Sequence, residues 1–261
     1  MDVILSTISS RLDLFILMFI RITALIVSSP IFGRKMLPNI LKISFCAAVT
    51  YVLFAANMNA ALPAYTGLIA FGLLCIKEML FGLVLGFTTT LFFSAVQISG
   101  QYIDMQMGFG MVNVLDAQNN VSVPITGNLL HIILIITFFS VNGHLKLIYI
   151  LNSTFAQIPI GTVTLNPEIG MAALEVFVLA FLLAVHVAFP LIASGLMGEV
   201  SLGFIMRAVP QINMFVVGIP LKIVIGFVML LIMLPIYVHF TDVIFDRMFE
   251  SINIMMMRLA G

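Results

Sequence analysis

Residues 198–223, GEVSLGFIMRAVPQINMFVVGIPLKI, decide the class of this chain. An acid (Glu199), an arginine (Arg207), two prolines (Pro210 and Pro220) and three glycines (Gly198, Gly203 and Gly218) stand in sequence otherwise as apolar as a membrane span. Charges and helix breakers at membrane depth are tolerated where protein or a water-filled cavity surrounds them. The stretch therefore points to broken helices held within a protein assembly rather than a plain lipid span.

Composition agrees. Hydrophobic residues make up 62% of the 261 and charged residues 8%, against about 25% charged in an ordinary soluble domain. So little polar surface does not suit water, and the chain reads as an integral membrane protein with room for about six helices of roughly 20 residues. One compact bundle with short connections and no separate soluble domain is expected. The net charge is zero and no block of like charges occurs, which argues against nucleic acid or an anionic lipid surface as the partner. Cys46 and Cys75 sit in apolar runs with no polar neighbour to lower a thiol pKa, and read as small core hydrophobes. At the start of the chain Asp2 replaces the basic residues of a cleavable signal and Arg21 interrupts the apolar run. Pro30 follows the small pair Ser28–Ser29, so the first helix is expected to stay.

Six apolar segments follow, at about 12–27, 41–56, 67–96, 129–150, 171–191 and 215–240. Their lengths are uneven: the second is short for a span that needs ~20 residues, and the third would run roughly 45 Å against a hydrocarbon core of ~30 Å. Tilted or kinked helices in a protein-lined setting fit such lengths better than lipid mismatch does. The fold class is accordingly all-α, a polytopic helical membrane protein with broken or kinked helices. Asp13, Arg21, Lys77, Glu78 and Glu175 lie inside these segments, where each would cost a few kcal/mol against lipid, so they should face protein or water. Lys77 and Glu78 are adjacent and so project differently, each needing a partner on another element. Buried pairing is the plainer reading of these charges and an ion pathway the sharper one. Gly82 and Gly86 have the small-xxx-small spacing of a close helix contact. Tryptophan is absent and only five tyrosines occur, so the aromatic belt is thin. Lys and Arg counts on alternate loops are nearly equal and leave the topology open.

The main polar interruption is Ser99–Pro124, SGQYIDMQMGFGMVNVLDAQNNVSVP. Gly108 and Gly110 free its backbone, while Met105, Met107, Phe109 and Met111 are bulky, soft and apolar. Such a loop could seal a conduit and yield to a passing chain, or simply tuck against the bundle. The 18 methionines favour a deformable apolar surface. Enzyme signatures are missing from the sequence. There is no Gly-Lys-Ser/Thr phosphate loop, Gly108-Phe-Gly110 lacks the third glycine of a dinucleotide site, and no serine sits in a Gly-x-Ser-x-Gly turn. His131, His144, His186 and His239 have no second ligand at helical spacing, so no metal and no cofactor is expected. No convincing internal repeat appears, which counts against inverted-repeat transporters.

Three stretches carry a family resemblance: Pro30-Ile-Phe-Gly33 with Pro38 following; Gly100-Gln-Tyr-Ile-Asp104-Met-Gln-Met-Gly108; and Gly198-Glu199, Leu202-Gly203-Phe, Arg207-Ala-Val-Pro210-Gln-Ile-Asn213 and Gly218-Ile-Pro220-Leu-Lys222. The last is long and unusual enough to be specific. Over its full length the chain resembles the FliR family of flagellar export-gate membrane proteins, whose close relatives serve virulence type III secretion.

The resemblance implies a subunit of a gate built with FliP and FliQ, beside FlhB and FlhA, in the bacterial inner membrane at the flagellar basal body. Such a gate passes unfolded flagellar export substrates and draws its energy from elsewhere. It implies a FliP-like part over residues 1–191 and a FliQ-like helical hairpin over 192–261. Its pore-closing loop maps onto Met105, Met107, Phe109, Met111 and Val114. Gly100, Asp104, Gly198, Glu199, Arg207, Pro210, Asn213, Pro220 and Lys222 become structural or subunit contacts. Glu199 and Arg207 are expected to satisfy each other or neighbouring subunits, Pro210 to fix the hairpin turn, and direct contact with FlhB or cargo is the sharper alternative. Arg21, Lys77, Glu78 and Glu175 are the buried charges. A small-solute or ion secondary transporter or channel lined by Lys77, Glu78 and Glu175 is the competing reading.

Overall fold

The computed structural model describes residues 2–33, 38–58, 60, 62–109, 124–164, 166–209 and 214–260. Helices account for nearly all of them: α1 (Asp2–Ser28), α2 (Asn39–Ala56), α3 (Gly67–Met107), α4 (Ile125–Ser140), α5 (Gly143–Gln157), α6 (Glu168–Ala208) and α7 (Ile219–Ala260). A π-helical turn, Met214–Gly218, leads into α7. The chain is thus all-α among the described residues, and four helices (α2, α3, α6 and α7) are long and apolar enough to cross a membrane. The pair α4–α5 makes a fifth if it is taken as one broken span. Of the six apolar segments expected, the second, third, fifth and sixth lie on these four helices and the fourth on the α4–α5 pair. No more than 39% of the most apolar window of any of the four spans is buried. Lipid or other subunits must cover the rest.

Local chemistry explains the helix limits. α2 starts after Pro38, which supplies a carbonyl to Lys42 but cannot itself be an interior helix residue. Its last turn is closed by Asn57, whose backbone N–H and side-chain Nδ2 both donate to the Leu53 carbonyl, at 3.0 and 2.9 Å. The segment read as one helix over 129–150 divides at Val141–Asn142, where Asn142 adopts a left-handed φ of 56°. Asn is among the few residues that do so at low cost. Within the helices, Ser28, Thr50, Thr88, Thr137 and Ser201 return their hydroxyls to carbonyls one turn back, so these five hydroxyls need no water. Pro190 lies inside α6 and Pro235 inside α7, each removing the N–H that would bond the carbonyl four residues earlier.

The helices contribute to two compact units. The first comprises residues 1–91, 141–177 and 247–261. Its central contact is α1 against the first half of α3. A Cβ on Gly82 would lie 2.4 Å from the Arg21 carbonyl oxygen, and one on Gly86 would meet Ser28 Oγ at 1.7 Å. Only glycine admits this approach, as the spacing predicts. Leu17, Met18, Ile22, Phe81 and Leu85 are fully buried around it.

The second unit comprises residues 92–140 and 178–246. Phe93, Phe138 and Phe245 pack edge to face or tilted at its centre, with ring centroids 5.4–6.5 Å apart, a geometry that satisfies the aromatic quadrupoles. Tyr237 donates its hydroxyl to the Leu130 carbonyl at 3.0 Å, tying α7 to α4. The later part of α6 and the earlier part of α7 run antiparallel: Gly198 faces Ile225, Glu199 meets Lys222, and a cleft of about 130 Å³ has His186 and Pro190 on one side and Leu234 and Tyr237 on the other.

Candidate functional site at the end of α3

α3 continues to Met107, well into the stretch that the sequence presents as an interruption. Forty-one residues make it about 60 Å long, twice the ~30 Å of a hydrocarbon core. What stops it is Gly108. With φ 84°, Gly108 donates to the Met105 carbonyl at 3.3 Å, and Phe109 donates to the Asp104 carbonyl at 3.0 Å. This paired 5→2 and 6→1 arrangement is a Schellman cap, and it places Gly108 and Phe109 as the first and second residues outside the helix. Gly108 therefore fixes the backbone here rather than freeing it.

The residues of the Gly100–Gly108 motif divide by face. Gly100 and Asp104 are one turn apart and point together at α4. A Cβ on Gly100 would come within 2.1 Å of the Gly127 Cα, so the two backbones touch. Asp104, only 7% exposed, accepts the Thr126 backbone N–H on both carboxylate oxygens, at 3.1 and 3.2 Å. Thr126 lies in the first turn of α4, where N–H groups have no helical acceptor. The carboxylate thus caps a helix from outside it, a contact worth ~1–2 kcal/mol that the positive end of the helix dipole reinforces.

On its other faces the last turn of α3 meets α6 and α7. Gln106 lies against Gly195, whose added Cβ would be 2.7 Å from the Gln106 Cγ, and donates to Glu199 at 3.4 Å. Met107, 4% exposed, fills the space above Gly226, where a Cβ would meet its Cγ at 2.6 Å. Glu199 in turn pairs with Lys222 across the α6–α7 hairpin. Its partner is not Arg207. Two helical turns separate Glu199 from Arg207, about 12 Å along the axis, whereas Lys222 faces it in antiparallel register. Arg207 is exposed in the last turn of α6, where a cation suits the helix dipole, with no ion pair among the described residues.

Other expected residues fall as follows. Met105 is 71% exposed on α3, and Phe109 is half-buried just beyond it. Met111, Val114, Pro210 and Asn213 lie outside the described residues. Gly198 makes an ordinary 3.8 Å contact with Ile225, and Pro220 is in the first turn of α7, where proline is well tolerated.

Of the buried charges, Arg21 and Glu78 find each other. Nε and Nη2 of the guanidinium reach the two carboxylate oxygens at 2.5 and 3.1 Å, with both side chains 0% exposed. Arg21 Nη1 also donates to Ile158 O at 3.1 Å and Thr154 Oγ1 at 3.3 Å, the Gly161 N–H donates to Glu78 at 2.7 Å, and Phe81 stacks 4.4 Å from the guanidinium. Lys77 is half-buried and Glu175 exposed, neither with an ion pair among the described residues. No group of three or more potential metal ligands occurs among the described residues.

Gln106, Thr126, Gly127, Gly195 and Gly226 were not singled out in the sequence, although Pro124-Ile-Thr-Gly127 is a readable helix start. The cluster they complete contains no nucleophile poised by a base. It brings α3, α4, α6 and α7 into contact.

The profile of the family described as Bacterial export proteins, family 1, matches residues 12–248. The chain belongs to that family. Its relatives include the flagellar biosynthetic protein FliR of Bacillus subtilis (strain 168), 32% identical over 253 residues, which cover 94% of this chain and 96% of the relative. The flagellar biosynthetic protein FliR of Escherichia coli (strain K12) is 29% identical over 241 residues, 92% of each chain. Yop proteins translocation protein T of Yersinia pestis is 29% identical over 226 residues, 84% of each. Membership in the FliR family thus extends across nearly the whole chain, including the cluster at the end of α3.

Proposed function

We propose that this protein is a subunit of the flagellar type III protein export gate, a conduit without chemistry of its own through which unfolded flagellar subunits leave the cell. The observation that carries the reading is near full-length similarity to flagellar biosynthetic proteins. One structural feature supports it: spans left largely uncovered by the chain itself. In this reading FliP and FliQ cover the exposed helix faces and FlhB and FlhA lie nearby in the inner membrane at the basal body. Residues 1–191 act as the FliP-like part and 192–261 as the FliQ-like hairpin, whose arms are the antiparallel portions of α6 and α7.

Phe109, Met111 and Val114 form the plug, with Met105 presented at its edge and Met107 as the anchor under which Gly226 leaves room. A small-solute transporter gains nothing from Glu78, which is buried and held by Arg21 and the Gly161 N–H.

Mild-detergent extraction of the tagged chain followed by native mass spectrometry tests the assignment. A defined complex with multiple copies of two small helical membrane proteins is expected, and a stable lone chain or homo-oligomer would overturn it. For the plug, replacing Phe109, Met111 and Val114 together by glycine should make the assembled gate leak small molecules, and an intact barrier would remove that role.

A further inference from the structure

We infer that α3 binds, along the seam from Ile69 to Phe87, a helix of an unlike subunit that presents a carboxylate to Lys77; this rests on the export-gate reading above and names one face through which the gate is joined. Ile69, Leu73, Ile76, Leu80, Leu83 and Phe87 recur in alternate steps of four and three along the first half of α3. That is the a/d spacing by which two helices interlock side chains, and it leaves Lys77 at the flanking e position, where interhelical ion pairs form. Five of the six are exposed, from 39% at Leu83 to 84% at Ile69, and Leu80 is half-buried. α1 takes a different face of α3, the one that carries Gly82 and Gly86. The seam is therefore left bare by the described helices of the chain itself.

An apolar stripe alone would suit lipid; Lys77 does not. It lies ten residues beyond Gly67, the first of α3, which is about 15 Å along the axis. A lysine stem of four methylenes spans less than half of that, so snorkelling does not carry the ammonium out of the apolar run. Among the described residues no acid of this chain pairs with it. The adjacent Glu78 projects to another face, where Arg21 and the Gly161 N–H hold it. A cation at this depth needs a negative partner, and a carboxylate on the helix lying in the seam meets it inside the same interface. Such a pair fixes the register of the two helices and rejects apolar helices that lack the acid.

The test uses the full-length tagged chain, assembled with its native partners in its own membranes. The photoreactive residue p-benzoylphenylalanine is placed at Ile69, Ile76 or Leu83, and at Leu68 or Met79, which match Ile69 and Leu83 in exposure (85% and 42%) but lie off the seam. Irradiation should join the seam positions to one and the same unlike membrane protein, at an apolar segment holding Asp or Glu, and should not join the two controls to that segment. Adducts with lipid alone, with a second copy of this chain, or with a segment lacking an acid overturn the inference, as does equal labelling from the controls. The charge is tested by complex yield, read by native mass spectrometry and divided by the amount of chain in the membrane. Lys77→Glu should lower that ratio about tenfold, since like charges then face each other, and Lys77→Arg should keep it within about twofold of wild type. An unchanged ratio in Lys77→Glu overturns the ion pair and the inference with it; if that variant does not accumulate, the photocrosslinks, made with Lys77 in place, decide. A hetero-oligomer without seam adducts overturns this inference alone, whereas a lone chain removes the gate reading and the inference together.

Discussion

Arg21–Glu78 in the first unit and Glu199–Lys222 in the second each join an acid to a base across two helices, yet their surroundings differ. The first pair is 0% exposed, bidentate, and held by Thr154, Ile158 and Gly161; the second is 39% exposed at Glu199 and 22% at Lys222, with Gln106 as an added donor. Removing one member of a buried pair strands a charge, at about 3–5 kcal/mol, while an open pair in water is worth ~0–1 kcal/mol. The comparison separates a joint on which the first unit depends from one that the second unit could make and break.

The largest expected effect is therefore in the first unit. Arg21→Ala or Glu78→Ala should cost about 3–5 kcal/mol and nearly abolish accumulation of the protein. The double change Arg21→Met/Glu78→Leu should restore much of it, as read by membrane-fraction immunoblot and thermal aggregation. A double variant no better than the singles would break the stranded-charge account.

Next comes the second unit's helix crossing. Gly100→Ala drives a Cβ into Gly127 and should cost at least ~1–3 kcal/mol, lowering complex yield, whereas Gly203→Ala has nothing within 4 Å and should gain or lose less than about 1 kcal/mol. Equal yields would show that the crossing relaxes freely. Smaller still, Lys222→Met should change stability by no more than about 1 kcal/mol. A loss as large as that of Glu78→Ala would erase the contrast between the two pairs.

The smallest effect concerns pH. Tyr65, just before α3, donates its hydroxyl to Asp13, and that bond, with burial and the negative charge, raises the phenol pKa above its ordinary value near 10. A folded-state pKa above the unfolded one stabilises fully below the unfolded value and loses that contribution as pH rises through the folded one. Tyr65→Phe should therefore reduce stability at neutral pH slightly and remove a decline seen only above about pH 10. A decline that persists in Tyr65→Phe belongs to other groups.

The sequence made the helical class and a close helix contact at Gly82 and Gly86 legible, because apolar runs and a Gly-xxx-Gly spacing are local signals; that α1 is the partner was not in the spacing. α2 closes at Ala56, where its apolar run ends. Less legible was the length of α3, since Ser99, Gly100 and Gln101 look like an interruption when only polarity is weighed. Gly100 is small because another backbone crosses there, and nothing nearby in sequence announces the crossing. The break after Ser140 was signalled by Asn142-Gly143 but lay hidden inside an apolar stretch. At the candidate site, Gly100, Asp104 and Glu199 stood out as unusual residues. Their partners Thr126, Gly195 and Gly226 did not, and Lys222 stood out without its pairing to Glu199 being foreseen, because these contacts are set by antiparallel register and helix crossing, which are properties of three dimensions.

Arg21 and Glu78 are also separated in time. The glutamate follows the arginine by 57 residues, and at ~5–20 residues per second of synthesis it emerges about 3–11 s later. During that interval α1 carries a cation whose matching acid has not yet been made. The first helix cannot reach its final packing on its own, and the ribosome's progress through α3 sets the earliest moment at which the first unit can close.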